Sequence, residues 1–203
     1  MTASREKNRS FVSGEWTLEG LYDGQSLRRG AVITHPHPLY GGDMFNPVVD
    51  TIRKSYRQKG YTTLRFNFRG TGNSQGQYDD GTGEQADVRA AVALLRADGI
   101  TTIALAGYSF GAWVNAGAVA SGLAVDGMTM VSPPVAMLDF GDIGALSPLN
   151  RVITGGRDDI APPAQVEKMI GRWQSGCRVT VIESADHFYS GCLSDLTEKL
   201  GRQ

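Results

Sequence analysis

The stretch TIALAGYSFG, residues 102–111, decides the fold of this chain. Its first half, Thr102 to Ala106, is a short apolar and β-branched run of the kind found in strands buried on both faces of a sheet. Its second half satisfies the pattern G-x-S-x-G, and Trp113 to Ala120 then has helical spacing. A strand, a sharp turn and a helix in this order lift the serine of the turn above the sheet edge. The sequence therefore predicts that Ser109 is a nucleophile.

The glycines around Ser109 fit such a turn. A strained strand-to-helix turn brings neighbouring Cα atoms close together, so the residues two positions away on either side must be small. Gly107 and Gly111 meet this requirement. The turn also leaves the Phe110 N–H at a helix start, directed to where an oxyanion would form. Any Gly/Ser pair can make a strand-to-helix turn, so it is the position after a buried strand that favours a nucleophile.

Strand and helix patterns alternate through the rest of the chain. Five further runs predict buried strands: Ala31 to Thr34, Thr62 to Phe68, Met128 to Val131, Arg151 to Thr154 and Val179 to Ile182. Four further segments have helical spacing: Pro47 to Lys59, Glu84 to Ala97, Pro163 to Trp173 and Leu193 to Leu200. Phe11 to Tyr22, broken by glycines, predicts an antiparallel hairpin at the sheet edge. We expect an α/β fold with a mostly parallel twisted sheet, an N-terminal antiparallel hairpin and helices on both faces.

Length, composition and charge limit the domain count and the partners. A chain of 203 residues suits one domain, residues 1–203, of which we expect 1–9 to be flexible. The formal net charge of -1 and the scattered Lys and Arg residues provide no field to hold a phosphate backbone, so we expect no nucleic-acid partner. The polar segment Met1 to Ser10 and the absence of an apolar run near ~18 residues favour a cytoplasmic protein with no membrane partner. The oligomeric state is not readable.

A serine hydroxyl is a poor nucleophile near neutral pH unless a base takes its proton and an acid orients that base. Downstream of Ser109 the sequence has one histidine, His187, directly after the predicted strand Val179 to Ile182. A lone histidine after a strand is often only a polar loop residue. The chain order and the absence of any other downstream histidine nevertheless favour His187 as the base.

The acid is expected one strand earlier, in the segment Gly155 to Pro162. This segment contains Asp158 and Asp159. We choose Asp158, keep Asp159 as the neighbouring alternative, and note that either could simply cap the following helix. Asp186 is disfavoured, because a residue adjacent to His187 in an extended segment points the other way.

A second oxyanion donor is expected in the loop after the first parallel strand, His35 to Gly42. Pro36 and Pro38 donate no N–H but stiffen the backbone. The main-chain N–H of His37 lies between them and is our choice, with that of Leu39 as the fallback. Losing one such donor lowers the rate by roughly 100-fold to 1000-fold.

Together these motifs resemble the lid-less, dienelactone-hydrolase-like branch of the α/β-hydrolase superfamily. The matching segments, in family order, are His35 to Gly42, Leu64 to Ser74, Gly107 to Gly111, Gly155 to Pro162 and Ala185 to Phe188. The resemblance implies an α/β-hydrolase fold without a lid domain, a triad of Ser109, Asp158 and His187, and an oxyanion hole of the Phe110 and His37 amides. Dienelactone hydrolase itself uses a cysteine nucleophile, so its activity is not carried over to a chain with Ser109.

Four residues are candidate substrate contacts. Arg69 opens a turn that resembles the R-G-x-G-x-S turn of the superfamily and could bind a substrate carboxylate bidentately. We favour a structural role instead, in which Arg69 pins its loop to acidic neighbours such as Asp79, Asp80 or Glu84. For the aromatic candidates we favour wall or core roles over specific recognition: Tyr40, Tyr108 and Phe188.

Two interpretations from other classes compete with a serine hydrolase. A metal site could in principle form from His35, His37, His187 and Asp43, but the prolines beside His37 and the lack of a metal-binding spacing disfavour it. A non-catalytic scaffold that binds a small molecule is disfavoured because all three members of the triad are present.

The predicted reaction is hydrolysis of a small carboxylic ester through an acyl-enzyme, without a cofactor or metal. Peptidase or thioesterase activity on the same triad stays an alternative. The segment Ser132 to Asn150 has about the length of one crossover and leaves no room for a helical lid, so we expect a shallow, open site. The identity of the substrate depends on loop shapes that residue types do not reveal.

Overall fold

The computed structural model describes residues 6–174, 177 and 179–201, with an eight-stranded sheet at its centre. The strands are β1 (Lys7–Ser13), β2 (Trp16–Asp23), β3 (Arg29–Thr34), β4 (Thr62–Phe66), β5 (Thr102–Tyr108), β6 (Gly127–Val131), β7 (Leu149–Gly155) and β8 (Val179–Ile182). The helices are α1 (Pro47–Gln58), α2 (Thr82–Ala97), α3 (Phe110–Ala120), α4 (Pro163–Trp173) and α5 (Leu193–Gly201), with a 3₁₀ turn at Pro38–Tyr40. The strand order across the sheet is β1-β2-β4-β3-β5-β6-β7-β8.

The sheet confirms the predicted fold class. Strands β3 to β8 are all parallel to one another, and the β1–β2 hairpin joins them through antiparallel pairing of β2 with β4. One boundary differs from the prediction of a flexible segment up to residue 9. Lys7 to Arg9 belong to β1, because they continue the ladder opposite Gly20 to Tyr22. Residues 1–5 of that segment lie outside the described residues.

The strands are buried on both faces because their residues alternate between two cores. In β3, Val32 packs in a cluster with residues of α2, α3 and α4, whereas Ala31 and Ile33 pack in a second cluster with residues of α1 and α5. All three are fully buried. Burying an aliphatic side chain of this size contributes roughly 1.5–3 kcal/mol. The two packed faces hold the strand ends, and with them the loops that follow each strand.

These loops leave the sheet at one edge, where ligands of parallel sheets bind. The loops after β3, β5, β7 and β8 carry the predicted functional residues. Between β6 and β7, residues 132–148, all of them described, form no helix or strand, in agreement with the predicted absence of a lid. Within the described part of the chain, no helix has both the length and the hydropathy to traverse a lipid bilayer.

His35 joins the loop after β3 to the segment after β4. Its fully buried ring accepts a hydrogen bond at Nε2 from the Phe68 N–H at 3.0 Å, and its Nδ1 lies 2.7 Å from the carbonyl oxygen of Pro36. Accepting at Nε2 places the proton of the neutral ring on Nδ1, which donates to Pro36. Burial lowers the pKa of His35 to about 4, because the imidazolium would lose its hydration. The ring is therefore neutral in the folded protein near pH 7.

We expect His35 to make the folded state sensitive to acid. The unfolded side chain takes up a proton near pH 6.5 and the folded one only near about 4, so its contribution to stability is complete above pH 6.5 and is lost as the pH falls toward 4. We expect this titration to lower the free energy of unfolding by about 3 kcal/mol in total. Urea unfolding of the wild type and His35→Gln across this range measures it. The free energy of unfolding should fall more in the wild type than in His35→Gln. Equal falls in both proteins would contradict the conclusion that His35 is buried as a neutral ring.

Candidate active site

Ser109 lies on a strained turn between β5 and α3. Its φ of 53° and ψ of -120° fall in a region that L residues rarely adopt. The Ser109 N–H donates a hydrogen bond of 2.9 Å to the carbonyl oxygen of Val131, which ties the turn to the end of β6. The strained backbone is thus held by a neighbouring strand.

The two glycines of the motif are needed for close backbone approach. A Cβ on Gly107 would lie 2.5 Å from the carbonyl carbon of Gly111. A Cβ on Gly111 would lie 2.6 Å from Thr34 Oγ1 and 2.7 Å from the carbonyl oxygen of His35. Small residues are therefore required here, as the sequence predicts, and they let the turn press against the end of β3.

His187 bridges the serine and the carboxylate. Its Nε2 lies 2.9 Å from Ser109 Oγ, and its Nδ1 lies 2.9 Å from each oxygen of the Asp158 carboxylate. In the neutral ring, Nδ1–H then donates to Asp158 and Nε2 accepts from the Ser109 hydroxyl. The Tyr108 hydroxyl donates at 2.8 Å to the carbonyl oxygen of His187 and holds its loop. The structure brings together the three side chains predicted for the triad.

Asp158 is oriented by its own loop. Its side chain is buried, and its Oδ1 accepts hydrogen bonds from the N–H groups of Ile160 at 3.0 Å and Ala161 at 2.7 Å. Burial alone would raise the pKa of Asp158, but the hydrogen bond and charge of His187 and the backbone N–H of Ala161 together hold it below its usual range. The carboxylate is ionised at neutral pH and can orient the imidazole.

The two rival carboxylates point elsewhere. Asp159 is exposed, whereas Asp158 is buried against His187. Asp186 accepts a hydrogen bond from the Ser190 N–H at 3.0 Å within its own turn. The geometry thus favours Asp158 over both alternatives.

The loops after β7 and β8 approach each other closely, which places the acid beside the imidazole. The Arg157 N–H donates to the carbonyl oxygen of Ala185 at 2.9 Å. A Cβ on Gly156 would lie 2.6 Å from the carbonyl oxygen of Glu183, and one on Gly155 would collide with the carbonyl of Ala185. The close approach of these two loops therefore requires glycine at both positions.

Two residues that the sequence analysis missed support the acid. A hydrogen bond from the Ser132 hydroxyl contributes to the lowered pKa of Asp158, and Ser132 Oγ lies 2.9 Å from the hydroxyl of Tyr189. Since Ser132 donates to the carboxylate, the Tyr189 hydroxyl donates to Ser132. Ser132 directly follows the predicted strand Met128 to Val131, so the rule that found the other site residues could have found it. Tyr189 does not directly follow a predicted strand, so this rule does not find it.

The amides predicted for an oxyanion hole border the same pocket as Ser109. Both His37 and Phe110 line it, and no acceptor within the described residues takes a hydrogen bond from either main-chain N–H. The N–H of Leu39, the fallback donor, instead donates to His37 Nδ1 at 3.2 Å. Of the two candidates for the second oxyanion donor, the N–H of His37 is therefore the one left free to bind an oxyanion.

Ser109 opens into a pocket of about 380 Å³ with mostly apolar walls. The side chains and loops that line it are Pro36, His37, Tyr40, Gly41, Gly42, Asn46, Tyr108, Ser109, Phe110, Pro134, Met137, Leu138, Ile160, His187 and Phe188. None of these described residues is a Lys, Arg, Asp or Glu. The candidate contacts Tyr40, Tyr108 and Phe188 all lie in this wall, and Phe188 is 69% exposed. The pocket suits uncharged, largely apolar groups.

Arg69 does not line the pocket at Ser109, so the prediction that it contacts the substrate is wrong. Its Nη2 lies 2.7 Å from the fully buried carboxylate of Asp87, and its Nε and main-chain N–H also donate to this carboxylate. The predicted pinning role is right, but the hydrogen bonds go to Asp87 instead of Asp79, Asp80 or Glu84; the charges of Glu84 and Asp79 only add to the rise in the pKa of Arg69. Asp87 lies one turn inside α2, on the face toward the loop, whereas Glu84 accepts from backbone N–H groups at the start of that helix.

The three histidines do not form the metal site considered as an alternative. Both ring nitrogens of His35 contact the backbone, and both of His187 contact the other two members of the triad. Within residues 6–174, 177 and 179–201, no group of three His, Cys, Asp or Glu side chains is placed to hold a metal ion. The geometry therefore contradicts the three-histidine alternative.

Comparisons with known proteins agree with this fold. An uncharacterised protein of Rickettsia prowazekii is 36% identical over 191 residues, which cover 88% of this chain and 80% of the relative. An alpha-beta serine hydrolase homologue from Coxiella burnetii superimposes with a TM-score of 0.88 at 32% identity, over 100% of this chain and 99% of the other. A lid-less serine hydrolase from Xanthomonas campestris gives a TM-score of 0.87 at 30% identity, over 98% and 94% of the two chains.

The family model supports the same assignment. The model of the alpha/beta hydrolase family matches residues 31–190, a range that contains most of β3, all of β4 to β8, and Ser109, Asp158 and His187. With this match and the similarity to the Rickettsia protein, the chain belongs to the alpha/beta hydrolase family.

Proposed function

We propose that this chain hydrolyses carboxylic esters through an acyl-enzyme formed on Ser109. The observation that carries the proposal is the continuous contact from Ser109 Oγ to His187 Nε2 and from His187 Nδ1 to Asp158, at 2.9 Å in each step. A serine in this arrangement is activated as a nucleophile because the base that takes its proton is already oriented. Two relatives with 30% identity or more bear the description serine hydrolase, which supports the same chemistry.

In the first half of the reaction, Ser109 Oγ attacks the carbonyl carbon of the ester while its proton moves to His187 Nε2. The carbonyl oxygen becomes an oxyanion, which accepts hydrogen bonds from the main-chain N–H groups of Phe110 and His37. The bond to the alcohol oxygen then breaks, and His187 returns the proton to the leaving alcohol. Asp158 stabilises the imidazolium throughout and keeps its own charge.

In the second half, water takes the place of the alcohol. His187 Nε2 removes a proton from the water as its oxygen attacks the acyl carbon, and the same two amides hold the second oxyanion. The bond to Ser109 Oγ breaks and the serine recovers its proton from His187. The products are the acid and the free enzyme.

The walls of the pocket indicate a neutral, apolar acyl or alcohol group. Among the described lining residues, the exposed large apolar side chains are Tyr40, Met137 and Phe188, of which Tyr40 is 76% and Met137 51% exposed. A pocket of about 380 Å³ that opens to solvent accommodates a short chain or a single ring. A substrate carboxylate would lose hydration there without meeting a cation among the described lining residues.

The direct test of the proposal is covalent labelling. A fluorophosphonate probe should modify the wild type at Ser109, because only an activated serine displaces the fluoride. Ser109→Ala should fold normally, lose labelling and lose nearly all ester cleavage, whereas the exposed control Ser10→Ala should keep both. Mass spectrometry of the labelled peptide identifies the site. A folded wild type that takes up no probe would contradict the proposal.

Asp158 and Asp159 form a matched pair for testing the acid. Asp158→Asn should lower kcat by about 10⁴, because the amide stabilises the wrong tautomer of His187. Asp159→Asn should leave kcat close to that of the wild type, since this neighbour is exposed. Steady-state kinetics on one ester checks both variants. Similar losses in both would mean that the triad is assigned incorrectly.

Charge discrimination tests the substrate class. We expect para-nitrophenyl hemisuccinate to be cleaved with a kcat/KM roughly tenfold or more below that of para-nitrophenyl butyrate, because the added carboxylate would be buried without a partner. The two acyl groups have the same number of carbon atoms, so chain length does not account for a difference. Equal values for the two esters would rule out an apolar pocket as the determinant.

A further inference from the structure

The loop between β4 and α2, residues 67–81, packs over the loop that carries His37. The hydroxyl of Tyr78 in this loop lies 3.2 Å from His37 Nε2, and the centroids of the two rings are 5.1 Å apart. The Tyr78 ring also lies 5.9 Å from the ring of Phe110, and the His37 and Phe110 rings are 4.8 Å apart. Both residues whose amides form the proposed oxyanion hole therefore have Tyr78 as a neighbour.

The hydrogen bonds of His37 determine how its imidazole is held. Its Nδ1 accepts from the Leu39 N–H at 3.2 Å, so the proton of the neutral ring is on Nε2 and is donated to the Tyr78 hydroxyl. That hydroxyl is left to donate toward the carboxylate of Asp80, and its pKa is raised to about 12 by burial and by the charge and hydrogen bond of Asp80. Burial also lowers the pKa of His37, which favours the neutral ring. The imidazole is thus anchored at both nitrogens.

The main chain around His37 forms a tight turn. Its carbonyl oxygen accepts hydrogen bonds from the N–H groups of Tyr40 at 3.1 Å and Gly42 at 3.0 Å, so the loop closes on itself. The contact between Tyr78 and the imidazole joins this closed loop to a neighbour that is itself fixed to the core. The ion pair of Arg69 with the buried Asp87 supplies that fixed point.

Gly81 gives the same loop a second fixed point. A Cβ at this position would collide with the Trp113 ring, so the loop lies directly against α3. The Trp113 ring is 5.7 Å from that of Phe110, the other residue of the proposed oxyanion hole. One rigid loop therefore borders both donors.

We propose that Tyr78 is a positioning residue that, through the His37 imidazole, fixes the direction of the His37 N–H toward the oxyanion. The inference rests on the proposed function, since an oxyanion hole has meaning only for acyl transfer. Tyr78 does not touch the reacting atoms. Its hydroxyl acts by restricting a donor that must already point correctly when the tetrahedral intermediate forms.

Tyr78→Phe separates the hydroxyl from the ring, because the ring can still pack on His37 and Phe110. Oxyanion donors act mainly in the transition state, so kcat and kcat/KM should fall together by roughly tenfold, while KM stays within about twofold of the wild-type value. Thermal unfolding should be nearly unchanged. The matched control is Tyr61→Phe, at the opposite edge of the sheet beside Tyr56 and Arg29, and it should keep wild-type kcat.

A double-mutant cycle tests whether Tyr78 acts through the imidazole. In His37→Asn the shorter side chain can still accept from the Leu39 N–H but does not reach Tyr78. If the inference is correct, Tyr78→Phe lowers kcat in the wild type and has almost no further effect in the His37→Asn background. A merely structural tyrosine would give losses that multiply.

The outcomes separate this inference from the function on which it rests. A wild type that cleaves esters, with Tyr78→Phe equal to it in kcat or with losses that multiply in the cycle, would overturn the role of Tyr78 alone. A wild type that neither cleaves esters nor takes up the fluorophosphonate would overturn the proposed function and this inference with it. A selective loss of kcat that vanishes in the His37→Asn background supports it.

Discussion

The hydrogen bond between Ser109 Oγ and His187 Nε2 joins residues 78 positions apart in the chain, and the parallel sheet makes this contact possible. Strands β5 and β8 run in the same direction, so the loops after them leave the sheet at one edge. The loop after β7 brings Asp158 to the same edge. Each functional side chain thus needs only a short loop, and the buried strands hold the starting point of that loop.

The strain in the backbone is concentrated at this edge. The described residues other than glycine with positive φ are Asp80, Ser109, Ser132 and Tyr189. Such conformations cost roughly 1–3 kcal/mol each and persist only where the surroundings hold them. Ser109 is the proposed nucleophile, Ser132 and Tyr189 hydrogen-bond to each other beside Asp158, and Asp80 lies next to the contact of Tyr78 with His37. Hydrogen bonds and packing therefore offset the conformational free energy of these strained residues, which lie at the edge of the sheet where the proposed reaction takes place.

The sequence was sufficient for features that depend on chain order. Buried strand patterns gave the parallel sheet, and polar residues directly after strands gave Ser109, Asp158 and His187. Contacts between two loops cannot be predicted from the sequence, because they depend on the path that each loop takes through space. The sequence predicts partners for Arg69 in its own loop and at the start of α2, whereas the structure pairs it with Asp87, one turn further along that helix. The contact of Tyr189 with Ser132 is hidden for the same reason, although Ser132 itself directly follows a predicted strand, as the triad residues follow theirs.

The two sides of the pocket differ in how firmly they are held, and this difference separates chemistry from specificity. On one side, His37 and Phe110 are enclosed by Tyr78 and by the loop after β4, with hydrogen bonds at both imidazole nitrogens. On the other side, Met137 and Phe188 project from loops after β6 and β8 and are more than half exposed. Met137 lines the pocket away from the hydrogen bonds of the triad, whereas Phe188 directly follows His187 and its ring lies 5.7 Å from that imidazole. Under the proposed function, selection for a different ester can therefore act on Met137 while the triad and the two amides stay in place.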